Sequence, residues 1–199
     1  MLMNLSFNHP DFLPSVEAAL ADDPLYTLLS DSNSQRRKLV NIFSSRLLNS
    51  SRGKLSAYCI GAHIDAAAIW SDLNQPSESS WCKGLICQVK MMTSGSMNEI
   101  GKIHKSIQVM ESKIDSLQKQ CDDYLVLLLV DSRYRGQGLA SQLIYPTLRK
   151  FDLEGRVCGV DTFNPANLPI YQQYGFDLEA SVEFGNGVVN YQMIRRPKG

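Results

Sequence analysis

The chain has 199 residues, and its 20 lysines and arginines equal its 20 aspartates and glutamates. A chain of this length can bury a substantial core, and a single domain over residues 1–199 is the simplest organisation. Because the formal net charge is zero, no overall field favours nucleic acid, an anionic membrane or an acidic partner. We therefore expect a protein that binds neither nucleic acids nor membranes.

The cysteines and the hydropathy pattern favour a cytoplasmic location. The five cysteines are scattered and form no Cys-x-x-Cys pair, so we expect no metal site and no redox motif. They are typical of small buried residues in a reducing compartment. No long apolar span predicts a membrane helix, and the N-terminus lacks the basic start of a signal peptide. The five are Cys59, Cys82, Cys87, Cys121 and Cys158.

The first third of the chain is predicted to be helical. Residues 11–20 show the apolar spacing of an amphipathic helix. Ser32 and Ser34 are candidate caps for a second helix, which the pattern extends to about residue 48 and which Gly53 closes.

The middle of the chain is predicted to form a hairpin, a loop and a long helix. Residues 55–60 and 64–70 have the pattern of two paired strands, and the polar residues 71–80 form a loop. Apolar residues at spacings of three and four over 97–120 indicate either a dimerisation helix or a helix packed on the sheet. The oligomeric state is therefore left as monomer or homodimer.

A strand, a tight turn and a helix follow at residues 124–140, and this unit is the most informative part of the sequence. Gly136 and Gly138 allow a sharp turn and a close approach to a ligand, because neither has a Cβ. The first amides of the next helix lack intrahelical partners and lie at the positive end of the helix dipole. Arg133 and Arg135 add positive charge, so the turn is predicted to bind a pyrophosphate.

Two other nucleotide-binding devices fit this turn poorly. The phosphate-binding loop of nucleotide hydrolases needs Lys and then Ser or Thr where this chain has Leu139 and Ala140. A dinucleotide fingerprint needs a third glycine where Ser141 stands, and too few residues follow for that fold.

The turn instead resembles motif A of the GNAT acyltransferases, Arg/Gln-x-x-Gly-x-Gly/Ala. Both 133–138 and 135–140 satisfy that pattern. Residues 160–176 resemble GNAT motif B, which has a strand, an Asn, and a helix that carries Tyr171 and ends in Gly-Phe. The two motifs stand in the expected order, about 30 residues apart, and the resemblance covers roughly residues 120–195.

The resemblance implies a fold and a co-substrate. The expected fold is α/β (α+β): a central mixed, mostly antiparallel sheet that splays at the acyl-CoA site and is flanked by helices. Acetyl-CoA is the implied co-substrate, with its pantetheine arm between strand 124–130 and strand 157–162. The implied contacts come from the first strand, the glycine turn and motif B: Leu128, Val130, Arg133, Arg135, Gly136, Gln137, Gly138, Leu139, Ala140, Asn164, Asn167 and Tyr171.

The resemblance also implies an N-acetyltransferase that acts on a small amine or a peptide by direct attack in a ternary complex. Tyr171 matches the family tyrosine that protonates the departing sulfur, and the amide of Val130 is expected to polarise the thioester carbonyl. Asp123 is the candidate base, since relatives often place a carboxylate or His near the start of this strand. His63, His104 and Glu183 are further candidates, and an amine whose pKa is already low needs no protein base. The alternative is a non-catalytic acyl-CoA-binding module with the same fold.

Overall fold

The computed structural model describes residues 2–20, 23–29, 32–34, 36–37, 40, 53–76, 112, 114–185 and 187–198. These residues form one seven-stranded sheet in the order β1-β2-β3-β4-β5-β7-β6. Every neighbouring pair is antiparallel except β4 and β5, which are parallel. The strands are β1 (Leu2–Asn4), β2 (Gly53–Ile60), β3 (Ala66–Pro76), β4 (Asp123–Val130), β5 (Cys158–Thr162), β6 (Asp177–Gly185) and β7 (Val188–Arg195).

Helices flank the sheet on both faces. The four α-helices with defined bounds are α1 (Phe12–Leu20), α2 (Pro24–Leu29), α3 (Leu139–Glu154) and α4 (Leu168–Gln173). Short 3-10 helices at Ser132–Tyr134 and Pro165–Asn167 lead into α3 and α4 respectively. This architecture confirms the predicted α/β fold with a mixed, mostly antiparallel sheet.

Alternation along the strands sends neighbouring side chains into different cores. Leu125 of β4 and Val160 of β5 belong to the core under α3, together with Leu148. Leu127 and Leu129 of β4 face the other side of the sheet, where α1 packs. We call these sides the α3 face and the α1 face.

Two predicted elements of the first half agree with the structure. The helix expected at residues 11–20 is α1, and the expected hairpin is formed by β2 and β3. Of the helix expected after Ser32, residues 33–34, 36–37 and 40 are helical, and the rest lies outside the described residues.

Two local predictions were wrong. Gly53 does not close a helix but is the first residue of β2. Glycine is required there because an added Cβ would lie 1.9 Å from the carbonyl oxygen of Asp72 on β3. The loop expected at 71–80 is strand up to Pro76, since residues 71 and 72 pair with both β2 and β4. Pairing on both sides outweighs the polar composition of this segment.

The long amphipathic segment is described only at its end. Residues 114–118 are helical, and Leu117 is buried against Tyr124 and Ile194 of the sheet. This end therefore packs on the sheet, and the rest of segment 97–120 lies largely outside the described residues. Whether the segment also forms a dimer stays a prediction.

Cys59, Cys121 and Cys158 are buried free thiols, as expected, while Cys82 and Cys87 lie outside the described residues. Within the described ranges, no helix combines the length and apolar character needed to cross a bilayer.

Candidate active site between β4 and β5

The two parallel strands at the centre of the sheet separate soon after they meet. β4 and β5 pair only at Asp123–Cys158, Tyr124–Gly159 and Leu125–Val160. Beyond this point β4 continues to Val130 while paired with β3 alone. The predicted splay is therefore confirmed, and we call the space between the separated strands the β4–β5 opening.

A β-bulge marks the point where β4 leaves β5. Ile69 of β3 pairs with Leu127, but the next residue, Trp70, pairs with Leu125. Val126 is thus the extra residue of the bulge, and both Val126 and Leu127 contact the core on the α1 face. Bulges bend a strand and increase its twist, which explains why β4 diverges here.

The register fixes which backbone groups face the opening. The amide of Asp131 donates to the carbonyl of Asp65 at 2.9 Å, so this pair is hydrogen-bonded across β3 and β4. Hydrogen-bonded pairs alternate with non-bonded ones in an antiparallel ladder, so Leu129 and Leu127 also bond to β3. The amides and carbonyls of Leu128 and Val130 consequently point away from β3, toward the opening.

The glycine turn lies at the outer end of β4. Gly136 and Gly138 both have φ of +76°, in the left-handed region that favours glycine. A Cβ added to either residue would meet no heavy atom within 4 Å, so conformation rather than packing requires glycine here. Gly138 is the N-cap of α3 and supplies no side-chain cap, which leaves the first amides of the helix available to an anion.

The two arginines of the turn differ in their contacts. Arg133 donates hydrogen bonds from Nε and a terminal nitrogen to the Asp131 carboxylate at 2.7–3.2 Å. These bonds lower the pKa of the Asp131 carboxyl to about 2. Arg135 is exposed, and its side chain makes no hydrogen bond or ion pair within the described part of the chain. Arg135 is therefore the arginine whose side chain is available to a phosphate. The Gln137 side-chain amide donates to the backbone carbonyl of Arg133 at 3.5 Å.

The asparagines of motif B stabilise the turn after β5. Asn164 accepts from the amide of Ala166 at 3.0 Å and so caps the 3-10 helix that leads into α4. Asn167 is at the N-cap position of α4, but its side chain does not cap the helix and instead donates to the Thr162 hydroxyl at 3.0 Å. One side-chain polar atom of each asparagine, Nδ2 of Asn164 and Oδ1 of Asn167, makes no hydrogen bond to the described residues.

Tyr171 lies in the core on the α3 face, with its ring 5.9 Å from that of Phe176 in an edge-to-face arrangement. Half-buried apolar side chains from three elements pack against the same core, and they are Leu128, Val130, Leu139, Ala140 and Leu168. Burial raises the pKa of Tyr171 above its ordinary value, and Asp161 raises it further. The phenol is therefore neutral and keeps its proton at physiological pH.

Asp123 lies at the paired end of β4, away from the opening. Its carboxylate accepts from Nε of Arg156 at 2.6 Å, and Arg156 also bonds Asp72 at 2.8 Å. Burial raises the pKa of Asp123 to about 6, against the opposing effect of Arg156. These three residues line a cavity of about 200 Å³ that also includes Trp70 and Phe151 of the α3-face core. The structure does not bring Asp123 together with Tyr171.

A carboxylate that sequence reasoning missed lies where the strands separate. Asp161 is the first residue of β5 beyond its last pair with β4. It accepts a hydrogen bond from the Tyr124 hydroxyl at 2.5 Å and another from Asn190 at 2.6 Å. Its place inside motif B was visible in the sequence, but the pattern does not show which carboxylate faces the opening.

No set of three or more His, Cys, Asp or Glu side chains suited to a metal ion occurs among the residues that the structure describes.

Residues 103–196 match the family described as "Acetyltransferase (GNAT) domain". Over 53 residues the chain is 43% identical to the uncharacterized N-acetyltransferase YhbS of Escherichia coli K12. That match covers 27% of this chain and 30% of YhbS, so the chain spans about three tenths of the curated relatives it matches.

Solved acetyltransferase structures share the whole fold. The chain is similar to a structure described as histone acetyltransferase HPA2 and related acetyltransferase from Corynebacterium glutamicum, with a TM-score of 0.60 at 12% identity over 100% of this chain and 97% of that one. It is also similar to the ribosomal-protein-S18-alanine N-acetyltransferase of E. coli, with a TM-score of 0.52 at 13% identity over 100% and 94%. Identities this low show likeness of fold.

The motifs, the family match and the splayed sheet agree. Residues 103–196 match a GNAT acetyltransferase domain, and the chain shares its fold with solved acetyltransferases.

The contacts of Arg156 predict a structural role. Replacing Arg156 with Ala leaves the carboxylates of Asp72 and Asp123 without their cation, so we expect a loss of about 3 kcal/mol in unfolding free energy at pH 8. The loss is smaller at pH 5, because the pKa of Asp123 lies above its unfolded value and protonation then removes the buried charge. Urea unfolding at both pH values measures this difference, and an equal loss at pH 5 and pH 8 would contradict it.

Proposed function

We propose that this protein is an acetyl-CoA-dependent N-acetyltransferase that acetylates a small amine by direct attack in a ternary complex. The observation that supports this most strongly is the β4–β5 opening, which exposes backbone groups in the middle of a sheet. Such groups need hydrogen-bond partners, and an extended ligand can supply them as an added strand would.

The exposed backbone groups and apolar walls of the opening suit the pantetheine arm of CoA. The backbone groups of Leu128 and Val130 face the opening at alternate positions along β4, matching the amide groups of an extended arm. The half-buried apolar side chains around Tyr171 give the arm an apolar wall. Asn164 and Asn167, at the start of motif B, each retain one polar atom for the same arm.

The glycine turn suits the pyrophosphate. The amides of residues 135–140 lie at the N-terminus of α3, where the helix dipole favours negative charge. Arg135 is positioned to add charge to this end, while Arg133 first has to exchange its bond with Asp131. The nucleotide end and the reacting end are thus separated by the length of the open part of β4.

Tyr171 is the proposed general acid. When the amine attacks the thioester carbon, the carbon–sulfur bond breaks and the sulfur leaves with its electron pair. A neutral phenol beside the sulfur supplies the proton that the thiolate needs. The backbone amides that face the opening polarise the thioester oxygen, and Val130 is the candidate donor.

Calorimetric titration with acetyl-CoA tests the binding site. We expect saturable binding, which Gly138→Val weakens at least ten-fold because the side chain fills the phosphate turn. Gly155→Val is the matched control, since Gly155 has φ of +67° and open space around its Cβ but lies at the far end of α3. Both variants force a side chain into the left-handed region at similar cost, about 1–2 kcal/mol.

Equal weakening by the two substitutions, or no binding of acetyl-CoA by the wild type, would contradict the proposed site. NADH is the comparator ligand, and its binding in place of acetyl-CoA would favour a dinucleotide enzyme.

Tyr171→Phe tests the chemistry. The ring contact with Phe176 is retained, so we expect unchanged acetyl-CoA affinity and a fall in kcat of about ten-fold or more. Thiol release with an amine panel measures the rate. Tyr174→Phe is the control, because the Tyr174 hydroxyl bonds Ser141 at 3.1 Å and is given no catalytic role. Turnover that is unchanged in Tyr171→Phe across the pH range would remove this residue from the mechanism, whereas a wild type that binds acetyl-CoA but releases no thiol with any amine would favour a binding module.

A further inference from the structure

Asp161 is a carboxylate that is held by a network of neutral polar side chains in the interior of the sheet. It ends a chain of polar side chains across the sheet: Gln192 donates to Asn190 at 3.1 Å, and Asn190 donates to Asp161 at 2.6 Å. Asn190 and Gln192 are 0% and 2% exposed, so this chain runs through the interior. The Tyr124 hydroxyl holds the other carboxylate oxygen. Two side chains thus hold the carboxylate directly, and a third orients one of them, at the point where β4 and β5 separate.

The sequence around Tyr124 is arranged to make this contact. Tyr124 pairs with Gly159, and a Cβ on Gly159 would lie 3.1 Å from the tyrosine ring. Because Gly159 has none, the ring lies across β5 and its hydroxyl reaches Asp161, two residues further along the same face.

Asp161 and Tyr171 approach the opening from opposite faces of the sheet. Val160 and Tyr171 belong to the core on the α3 face. Asp161 alternates with Val160 and therefore lies on the α1 face, where Tyr124 packs. The two groups are nevertheless close enough for the Asp161 charge to raise the pKa of Tyr171. A thioester in the opening would have the phenol on one side and the carboxylate on the other.

Asp161 differs from Asp72, Asp123 and Asp152 because it has no counter-cation among the described residues. Arg156 neutralises Asp123 and Asp72, and Arg195 neutralises Asp152. The donors to Asp161 are both neutral. A second carboxylate, Asp23, lies before α2, which contacts β7, the strand of Asn190. Asp23 caps α2 by accepting from the amide of Leu25 at 2.9 Å, and the Asp161 charge helps to raise its pKa.

We propose that Asp161 binds the ammonium group of the acceptor and removes its proton, and that Asp23 favours acceptors carrying further positive charge. The acceptor class is therefore a cationic alkylamine without a carboxylate or phosphate near the reacting nitrogen. This inference rests on the acetyltransferase function proposed above. It assigns the base to Asp161 in place of Asp123, which Arg156 holds at the paired end of β4.

The step balances in atoms and charge. Asp161 takes one proton from the ammonium, and the nitrogen lone pair attacks the thioester carbon. The carbon–nitrogen bond forms as the carbon–sulfur bond breaks, and the thiolate takes the Tyr171 proton. The phenolate takes the extra proton from the acylated nitrogen, and Asp161 returns its proton to solvent. The products are the N-acetylated amine and the free thiol of CoA.

The surroundings of Asp161 also set a pH dependence. Tyr124 of β4 and Asn190 of β7 bond to it, and Tyr171 of α4 and Asp23 before α2 interact with it electrostatically. Burial raises the pKa of Asp161 despite the hydrogen bonds from Tyr124, Asn190 and its own backbone amide. Since the carboxylate form is required, kcat/KM falls on the acid side at a pH above the ordinary carboxyl range.

The test compares three amines of similar length as acceptors for the full chain with saturating acetyl-CoA: putrescine, butylamine and γ-aminobutyrate. We expect kcat/KM to decrease in that order. Asp161→Asn is expected to lower kcat/KM for butylamine about 100-fold while acetyl-CoA affinity is unchanged. Asp177→Asn, which removes an exposed carboxylate at the start of β6, is the matched control.

Two further variants separate this role from a structural one. Tyr124→Phe removes one donor but keeps the carboxylate, so it moves the acid limb of kcat/KM to higher pH without abolishing acetylation. Asp23→Asn reduces the preference for putrescine over butylamine.

The proposal is overturned if γ-aminobutyrate is the best acceptor, if Asp161→Asn retains full activity, or if the wild type binds acetyl-CoA but acetylates none of the three amines. A wild type that fails to bind acetyl-CoA shows instead that the proposed function is wrong.

Discussion

The structure depends on the early separation of β4 from β5. Inside a sheet, every backbone amide and carbonyl normally has a partner, and an unpaired buried group costs free energy comparable to a lost hydrogen bond. Here the bulge at Val126 turns β4 away, so Leu128 and Val130 present unpaired backbone groups to the opening. Water or an extended ligand has to bond them. The bulge in the β3–β4 ladder thus creates the opening in which an extended ligand can bond to the sheet.

The rest of the site follows from where that opening begins and ends. At its outer end, the chain turns at Gly136 and Gly138 and enters α3 with uncapped amides, an arrangement suited to an anion. At its inner end, Tyr171 lies on the α3 face of the sheet and Asp161, bonded to Tyr124, lies on the α1 face. One strand therefore connects a charge-binding end with an end that holds an acid and, as we infer, a base.

Sequence patterns predicted the parts of this site that backbone conformation dictates. The glycine turn, the strand before it and the helix after it require particular residues at fixed spacing, so motif A located them correctly. Contacts between side chains are harder to predict from sequence, since they depend on the register between strands that are distant in the chain. Asp123 was predicted as the base because it is an acid at the start of a strand, but its partner Arg156 is 33 residues away. Asp161 attracted no notice, because only the ends of β4–β5 pairing show that it faces the opening.

The central claim is that the outward backbone groups of Leu128 and Val130 bind acetyl-CoA. Amide hydrogen exchange measured residue by residue by NMR, with and without saturating acetyl-CoA, tests it most directly. We predict that the amides of Leu128 and Val130 exchange faster than those of Leu127 and Leu129 in the free protein, since only the latter pair with β3. On binding, both should become protected. Unchanged exchange at both residues in a protein shown to be saturated would contradict the account.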